Sequence, residues 1–230
     1  REGDAMFRMR RASGVPSTQA PPASSADEKH AGITISLPPP AKRSADSRSS
    51  DSSDDHDARL ARAFEACMDL FECETPVDSL AFIIELLQEL VPCRASSALL
   101  YDYNNHEYLH VAASGPGSEN TAGNTLPGGR GLVTAATNGE VTMIANNALS
   151  DSRYDASVDE VMVEGESGEV TAGGHHLIQP LVKGGRLLGL VRLVDRNDGG
   201  EFSQADSALI AYVGRQVTKF IYEARNRAAG

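Results

Sequence analysis

The sequence predicts an α/β (α+β) domain in which a central antiparallel sheet is flanked by N-terminal and C-terminal helices. Three observations support this prediction. Two helical stripes of apolar residues precede the strand-like segments, those segments come in pairs joined by short turns, and a long helical stripe ends the chain. Strands that follow one another through tight turns pair antiparallel.

A disordered arm is predicted before the domain, over residues 1–57, and the domain itself over residues 58–228. The arm is rich in Ser, Pro, Asp and Ala and lacks apolar periodicity. Such a composition buries too little apolar surface to offset the entropy lost on ordering. Residues 33–37 form a β-prone patch, interpreted either as a docking motif or as a chance apolar patch in a linker. The Ser/Asp run resembles a target of acidophilic kinases.

Charge excludes some partners. The formal net charge is -11, and residues 1–57 hold 8 Lys and Arg against 9 Asp and Glu, so most of the negative charge falls on the predicted domain. An acidic domain argues against nucleic acid and against an anionic membrane surface. No stretch approaches the roughly 20 apolar residues of a spanning helix. The three cysteines, Cys67, Cys73 and Cys93, are too sparse for a disulfide framework and favour a reducing, cytoplasmic setting.

Two amphipathic helices are predicted to open the domain. Apolar residues recur at steps of three and four in both, and Pro76 separates them. The first stripe consists of Leu60, Phe64, Cys67, Met68 and Phe71, and the second of Leu80, Ile83, Ile84, Leu87 and Leu90.

Strand chemistry follows. ASSALLYDY and EYLHVAAS flank the turn NNH, which predicts a hairpin. LPGGRGLVTAATNGEVTMIAN predicts a Gly-rich turn, a short helix and a strand over 141–145, and residues 146–175 predict a loop with about one helical turn. HHLIQPLV and LLGLVRLVD form a second hairpin around Gly184-Gly185. These two strands are apolar on both faces, so we expect them to be central, with a bulge or an unpaired position at Pro180.

The last predicted element is a long helix. Ser203 is a candidate N-cap with Asp206 three residues on, the spacing of a capping box. The helix carries a stripe wide enough both to cover the sheet and to pair with a second copy. Its members are Leu209, Val213, Gln216, Val217, Phe220 and Ile221.

Four segments, in this order, resemble the GAF domain family. LPGGRGLVTAATNGEV resembles the family's Gly-rich start of a short helix, and SDSRYDASVD resembles the segment beside its ligand cavity. LIQPLVKGGRLLGLVRLVDR resembles its paired central strands, and NDGGEFSQADSALIAYVGRQV resembles the start of its C-terminal helix. Together they cover about residues 58–228. The resemblance implies a GAF-like sheet and a small-molecule sensing and dimerisation module of the kind that regulates phosphodiesterases, cyclases, histidine kinases and transcription activators.

The resemblance also implies a ligand cavity between the sheet and the acidic segment 146–175. That segment is then either a lid or a filling of the cavity. The ligand and any cofactor are left unidentified. The residues expected to line the cavity are Leu132, Ile144, Tyr154, Asp155, Val158, His176, Ile178 and Val191.

Cyclic-nucleotide-binding GAF domains carry an Asn-Lys, Phe, Asp-Glu series that ties a strand end to the last helix. Laid on VDRNDGGEFSQAD, this series becomes Asp195, Arg196, Phe202 and Asp206, and Ser207 replaces its Glu. The resemblance implies a structural clasp, with Arg196 paired to Asp206 and Phe202 as a plug. The loss of the Asn and the Glu argues against a cyclic nucleotide.

Four further features of the sequence bear on catalytic or metal chemistry. His175 and His176 point to opposite faces of a strand and cannot bind one metal together, and His106 and His110 lie around a hairpin. Gly128, Gly129 and Gly131 precede a helix but lack the Lys-Ser/Thr of a phosphate loop, so turn geometry is favoured over ligand contact. The three cysteines lie outside the predicted cavity segment, which argues against a thiol reductase and a covalent bilin. No metal site and no catalytic site are predicted.

Three hypotheses remain. The first is a regulatory, non-enzymatic GAF module that binds a small ligand and couples its occupancy to the flanking helices, with homodimerisation through the terminal helices. The second is a ligand-free interaction or dimerisation adaptor whose arm is the docking segment. The third is a free methionine sulfoxide reductase. The signalling partner is not identified by the sequence.

Overall fold

The computed structural model describes the backbone of residues 49–228 and the side chains of residues 54–227. The helices are α1 (Ser49–Asp69), α2 (Pro76–Leu90), α3 (Gly131–Gly139), α4 (Ala156–Asp159) and α5 (Gln204–Ala228). The strands are β1 (Cys93–Asp102), β2 (Glu107–Ser114), β3 (Thr125–Pro127), β4 (Met143–Ala145), β5 (Met162–Glu164), β6 (Val170–Ala172), β7 (His176–Lys183) and β8 (Arg186–Arg196). Short 3-10 turns lie at Leu70–Glu72, Ser118–Asn120 and Ala148–Ser150.

The predicted arm overlaps α1. Residues 1–48 of the arm, with the patch at 33–37, lie outside the described residues. Residues 49–57, predicted as the end of the arm, form the first turns of α1.

The predicted central antiparallel sheet is confirmed. Six strands pair antiparallel in the order β3-β2-β1-β8-β7-β4, and β5 pairs with β6 in a separate two-stranded sheet. Both strands of the second predicted hairpin, β7 and β8, are largely buried. Their turn places Gly184 and Gly185 at φ of 58° and 71°, angles that glycine adopts without steric cost. The predicted bulge lies directly after Pro180, between Leu181 and Val182.

One face of the sheet packs against the terminal helices. The second predicted stripe forms the buried side of α2, and Pro76 is at the helix start because Thr75 and Asp78 form a capping box before it. α5 lies across β7 with Leu209, Val213, Val217, Phe220 and Ile221 all buried. The α5 stripe therefore covers the sheet within this chain, which is one of the two roles expected for it.

α1 leaves most of its predicted apolar stripe exposed. Its buried side consists of Ala63, Ala66 and Cys67, followed by Leu70 in the adjoining turn. The larger predicted residues lie on the adjacent side of the helix, where Phe64, Met68 and Phe71 are 60%, 58% and 63% exposed. Small residues face α5 because they let the two helices approach closely. We call the exposed side, formed by Leu60, Phe64, Met68 and Phe71, the α1 face.

The other face of the sheet is covered by α3, α4 and the β5–β6 hairpin. Leu132, Val133 and Ala136 of α3 pack on Leu99, Ile178 and Leu190 of the sheet. Residues 146–175, expected to be a loop with one helical turn, contain α4 and the β5–β6 hairpin as well. None of the described helices combines the length and the apolar character that crossing a bilayer requires.

Candidate ligand-binding site

A cavity of about 220 Å³ lies between the sheet and the α4–β5 segment. Its floor is polar and comes from three neighbouring strands, with Ser96 and Ser97 on β1, His110 on β2 and Arg192 on β8. Its walls combine apolar and polar side chains. The apolar ones include Pro116, Leu126, Val158, Val161 and Met162, and the polar ones are Ser114, Ser118, Thr121, Ser157 and Glu160. Apolar surface combined with convergent polar groups is typical of small-molecule sites.

Arg192 is the main charged group of this floor. Its side chain is fully buried, with the residue only 2% exposed. Nη1 donates to the carbonyl oxygens of Val158 at 3.1 Å and Asp159 at 3.4 Å, and Nε donates to Ser97 Oγ at 3.4 Å. Within the described residues, no carboxylate oxygen lies within 4.0 Å of the guanidinium and Nη2 has no acceptor.

The guanidinium remains charged despite its burial. Burial lowers the pKa of Arg192 to about 10, and the nearby charge of Asp159 partly opposes this. A pKa of about 10 keeps the group protonated at neutral pH. The floor of the cavity therefore carries a buried positive charge that the protein does not fully compensate.

Two neighbours of Arg192 are also incompletely hydrogen-bonded. His110 Nδ1 and Ser96 Oγ are buried, and neither has a hydrogen-bond partner among the described residues. Burial, with a smaller contribution from Arg192, lowers the pKa of His110 to about 4. His110 is therefore neutral at pH 7, with one ring nitrogen able to donate and the other able to accept. Buried polar groups are nearly always paired, so unpaired ones that line a cavity indicate a missing partner.

Asp159 holds the segment beside the cavity in place. Its carboxylate accepts the backbone N–H groups of Leu132 at 2.7 Å, Asp155 at 2.9 Å and Val133 at 3.3 Å, which caps the N-terminus of α3. Gly131 permits this close approach, because a Cβ there would lie 2.5 Å from Asp159 Oδ2. Since the carboxylate is occupied by α3, it is not available as a direct partner for Arg192.

The sequence model of the GAF domain family matches residues 73–221, well over half of the chain and all of the sheet. This chain belongs to the GAF domain family. No curated protein sequence gives a significant match to this GAF domain.

Solved structures share the fold. The GAF domain of a phosphoenolpyruvate-protein phosphotransferase from Coxiella burnetii is 18% identical, with a TM-score of 0.64, and the match covers 76% of this chain and 99% of that one. The equivalent Acinetobacter domain is 17% identical, with a TM-score of 0.61 and coverage of 75% and 98%. A free methionine-R-sulfoxide reductase from Neisseria meningitidis, in complex with its substrate, is 16% identical, with a TM-score of 0.58 and coverage of 72% and 89%.

The residues expected to line the cavity separate into three groups in this GAF domain. Val158 lines the cavity, and Asp155 lies at the start of α4, where its carboxylate accepts the N–H of Ser157 at 3.0 Å. Tyr154 and the fully buried His176 pack edge to face, with ring centroids 6.4 Å apart. The others contribute to hydrophobic cores on the two faces of the sheet. Leu132 and Ile178 lie in the core between α3 and the sheet, and Val191 and Ile144 lie on the side of the terminal helices.

The placement of Val191 is a correction of one residue. Successive side chains of a strand point to opposite faces. Leu190 and Arg192 face α3 and the cavity, whereas Val191 and Leu193 face the terminal helices. Ile144 likewise packs toward the terminal helices. The feature of the sequence that marks the cavity face of β8 is the arginine inside the apolar run LLGLVRLV, since arginine is rarely fully buried unless it is paired.

The serines and the one histidine of the floor were less recognisable from the sequence. Ser97 stands opposite Arg192 in the β1–β8 register, and His110 lies opposite Leu99 in the β1–β2 register. Only the pairing of three strands brings these groups together, and that pairing is not readable from spacing in the chain. Among the described residues, no group of three His, Cys, Asp or Glu side chains is placed to hold a metal ion.

The expected clasp residues meet at the far end of β8. Arg196 Nη1 donates to Asp206 Oδ2 at 2.8 Å, and Ser203 and Asp206 exchange the hydrogen bonds of a capping box at 2.9 and 3.1 Å. Arg59 of α1, which sequence reasoning missed, donates from Nη2 to Asp206 Oδ1 at 2.6 Å. Asp206 is fully buried and joins β8, α1 and α5.

Asp206 stays ionised in this position. Burial alone would raise its pKa, but hydrogen bonds from Arg59 and Ser203 and the charge of Arg196 more than offset burial, and the net shift is downward. Phe202 is 2% exposed in the adjoining core. Asp195 instead accepts the backbone N–H groups of His175 at 2.7 Å and Gly174 at 3.0 Å, which fixes the start of β7.

The cysteines lie away from the cavity. Cys67 packs in the core between α1 and α5, and Cys93 is buried at the start of β1. Burial raises the pKa of Cys67 to about 11 and that of Cys93 to about 12, so both are thiols at neutral pH. The pKa of the half-buried Cys73 is also raised, by burial and by Asp78 and Glu72. The thiolate is the reactive form of cysteine, so none of the three is activated.

Proposed function

We propose that this GAF domain is a regulatory module that senses a small ligand in the cavity and couples its binding to contacts made by the terminal helices. The observation that carries the proposal is the fully buried and uncompensated Arg192, with unpartnered His110 and Ser96 beside it. A ligand that supplies the missing partners binds without further cost for burying these groups, because the fold has already desolvated them.

The path from the cavity to the helices is short. Arg192 and Arg196 lie four residues apart on β8, and Arg196 is joined through Asp206 to Arg59 of α1 and to the start of α5. A ligand that shifts β8 or α4 therefore acts on a strand tied directly to both terminal helices. It changes their arrangement only to the extent that it binds one arrangement better than the other.

The α1 face is the proposed contact with a second copy. Leu60, Phe64, Met68 and Phe71 are exposed side by side on one side of the helix, and Leu60 is 36% exposed. Large apolar residues exposed together usually mark an interaction surface. This replaces the α5 stripe, which is buried within the chain.

The ligand test is a thermal-shift screen with amino acids, short organic acids, cyclic nucleotides and tetrapyrroles. A ligand of the native state raises the melting temperature in proportion to the logarithm of its concentration. Ala113→Phe, which places a bulky ring at the cavity wall, should abolish the shift, and Ala122→Phe, at an exposed position outside the cavity, should retain it. A shift that survives Ala113→Phe would refute this site.

The pairing test is sedimentation velocity of the wild type and of Phe64→Glu with Phe71→Glu. The double variant should be monomeric, because two charges replace the centre of the apolar face. Val77→Glu, at an apolar residue 44% exposed on α2, is the matched control and should pair like the wild type. Pairing that is lost in the double variant, in a protein that binds no compound of the screen, would favour the ligand-free adaptor.

The reductase hypothesis receives less support. A thiol reductase needs a thiolate beside its substrate, and the cavity of this domain is lined by no cysteine. Incubation with free methionine sulfoxide and a thiol reductant should give no turnover above that of the Cys67→Ser, Cys73→Ser, Cys93→Ser variant. Turnover that disappears in this variant would restore the reductase.

A further inference from the structure

We propose that the ligand of this cavity is a small monocarboxylate whose carboxylate binds the free side of the Arg192 guanidinium. This inference rests on the proposed function and names the chemical class of the ligand. It starts from the charge at the floor, where Nη2 of Arg192 lacks an acceptor and no carboxylate of the described residues reaches the guanidinium. A buried guanidinium is matched best by the two oxygens of a carboxylate.

The other floor groups fit the same ligand. Ser96 Oγ has no partner, and Ser97 Oγ accepts only a long hydrogen bond from Arg192. Both hydroxyls can therefore donate to a carboxylate oxygen. His110 is neutral, and one of its ring nitrogens can donate to the same group or to a polar substituent next to it.

Charge favours one negative charge over two. Among the described residues, Arg192 is the only cationic side chain that lines this cavity, whereas Glu160 also lines it and the charge of Asp159 acts on the guanidinium. A phosphate dianion would meet one positive and two negative side chains. A carboxylate needs only the one cation that is present.

Size restricts the remainder of the ligand. The cavity volume of about 220 Å³ lies below the roughly 300–1,000 Å³ of sites for drug-sized ligands. With roughly 30 Å³ for each water molecule, it holds about seven waters, the space of a short organic acid. Val158, Val161 and Met162 form an apolar wall that suits a short aliphatic chain.

The test uses butyrate and hexanoate as probes, with butyramide, hexanamide and inorganic phosphate as matched comparisons, measured by isothermal titration calorimetry. The carboxylates should bind at least about tenfold more tightly than the amides of equal length, and phosphate should bind more weakly than either acid. A hydrogen bond to a charged group accounts for a difference of this size.

Variants of Arg192 complete the test. Arg192→Gln should weaken carboxylate binding about 10- to 100-fold while leaving amide binding within about threefold, and Arg192→Lys should retain part of the preference for the acid. Circular dichroism and the melting temperature establish that each variant is folded. If Arg192→Gln does not fold, Arg192→Lys and the acid-to-amide ratio of the wild type decide the question.

The two proposals fail differently. Equal binding of acids and amides, lost in Ala113→Phe but unchanged in Arg192→Gln, overturns the carboxylate and leaves the ligand site standing. Acid binding that persists unchanged in Ala113→Phe overturns the site itself. Absence of binding by both acids overturns the carboxylate inference, whatever the thermal-shift screen finds with other compounds.

Discussion

Two arginines four residues apart on β8 differ in how far the protein compensates their charge. Arg196 donates to Asp198 at 2.7 Å and to Asp206 at 2.8 Å, and its pKa is raised, chiefly by the hydrogen bonds that it donates to Asp198. Arg192 is more deeply buried, donates to uncharged oxygens, and has its pKa lowered to about 10 by burial. The same side chain on the same strand therefore has two environments.

The difference separates a structural role from a binding role. A charge whose partners are all supplied by the fold contributes to the fold. Removing one partner leaves the other buried without a counter-charge, which destabilises the protein. A buried charge whose partner is missing lowers stability and is retained where another molecule supplies that partner. The carboxylates follow the same division, since Asp206 serves two arginines and Asp159 serves the backbone of α3.

The largest expected effect is at Asp206, which compensates the charge of Arg196 at the end of β8. Asp206→Ala should lower the free energy of unfolding by about 3–5 kcal/mol, because it leaves Arg59 and Arg196 without their shared partner and removes the capping box of α5. Urea unfolding followed by circular dichroism measures it. Asp198→Ala, which removes the 59% exposed partner of Arg196, should cost only about 0–1 kcal/mol.

The clasp residues Arg196, Phe202 and Asp206 do not line the cavity. Asp206→Ala should therefore loosen α5 while a ligand, measured well below the melting temperature, keeps its affinity within a few-fold. Loss of binding with unchanged stability would contradict the structural role of Asp206.

Acidification should weaken the side of the sheet that carries Arg192. The pKa values of His110 and His176 are lowered from 6.5 to about 4 and about 3, mainly by burial and also by Arg192. Around them lie Tyr154, Asp159 and Glu160 as further titratable groups. Because the unfolded chain binds protons that the folded histidines do not, their contribution to stability is complete above about pH 6.5. It falls below that pH, down to about pH 4 for His110 and about pH 3 for His176.

The size of the acid effect is up to about 1.4 kcal/mol per pH unit for each histidine within that window. Denaturant unfolding at pH 7.5 and pH 5 measures it. His110→Asn should reduce the slope, whereas substitution of the exposed His106 should leave the slope unchanged. A wild-type stability that is equal at both pH values would show that the two histidines are not buried in neutral form.

Substitution of Gly131 tests how closely Asp159 is held against the N-terminus of α3. Gly131→Ala should lower stability by about 1–3 kcal/mol, because its Cβ would clash with Val158 Cγ2 and lie 2.5 Å from Oδ2 of Asp159, whose carboxylate is held in place by three N–H groups. Gly129→Ala is the matched control. Gly129 also has a positive φ, 84° against 76°, but its Cβ would meet nothing within 4 Å. Equal costs for both variants would reduce the effect to backbone strain and remove the argument from contact with Asp159.

The sequence predicted what depends on local pattern. The capping box at Ser203, the turn at Gly184-Gly185 and the buried stripe of α2 follow from spacing alone, and all three are present. The GAF resemblance, drawn from four short motifs, agrees with the family match. Motif spacing also predicted the pair of Arg196 and Asp206. The distance between them, and the third member, Arg59, were visible only in the tertiary structure.

The cavity was harder to predict from the sequence, because it depends on which face of its strand each residue occupies and on how the strands pair. A one-residue difference separates Val191, which packs against the helices, from Arg192, which lines the cavity. The bulged residues in the β7–β8 and β1–β2 pairings change the parity along the strands, so an apolar run does not reveal which residues share a face. Spacing alone also does not show which side of α1 is buried, because the helix packs through its small residues and leaves most of its large apolar stripe exposed.

The smallest expected effect on stability is at Arg192 itself. Arg192→Met removes a buried charge, which stabilises the fold, and removes the hydrogen bonds to Val158 and Asp159, which destabilises it. Since the two contributions have opposite signs, the free energy of unfolding should change by less than about 1 kcal/mol. Arg196→Met, which leaves Asp198 without a charged partner and Asp206 with Arg59 alone, should cost more, about 1.5–3 kcal/mol. If Arg192→Met proves the more destabilising of the two, Arg192 is a structural residue held by its carbonyl partners, and the case for a ligand at the floor of the cavity falls with it.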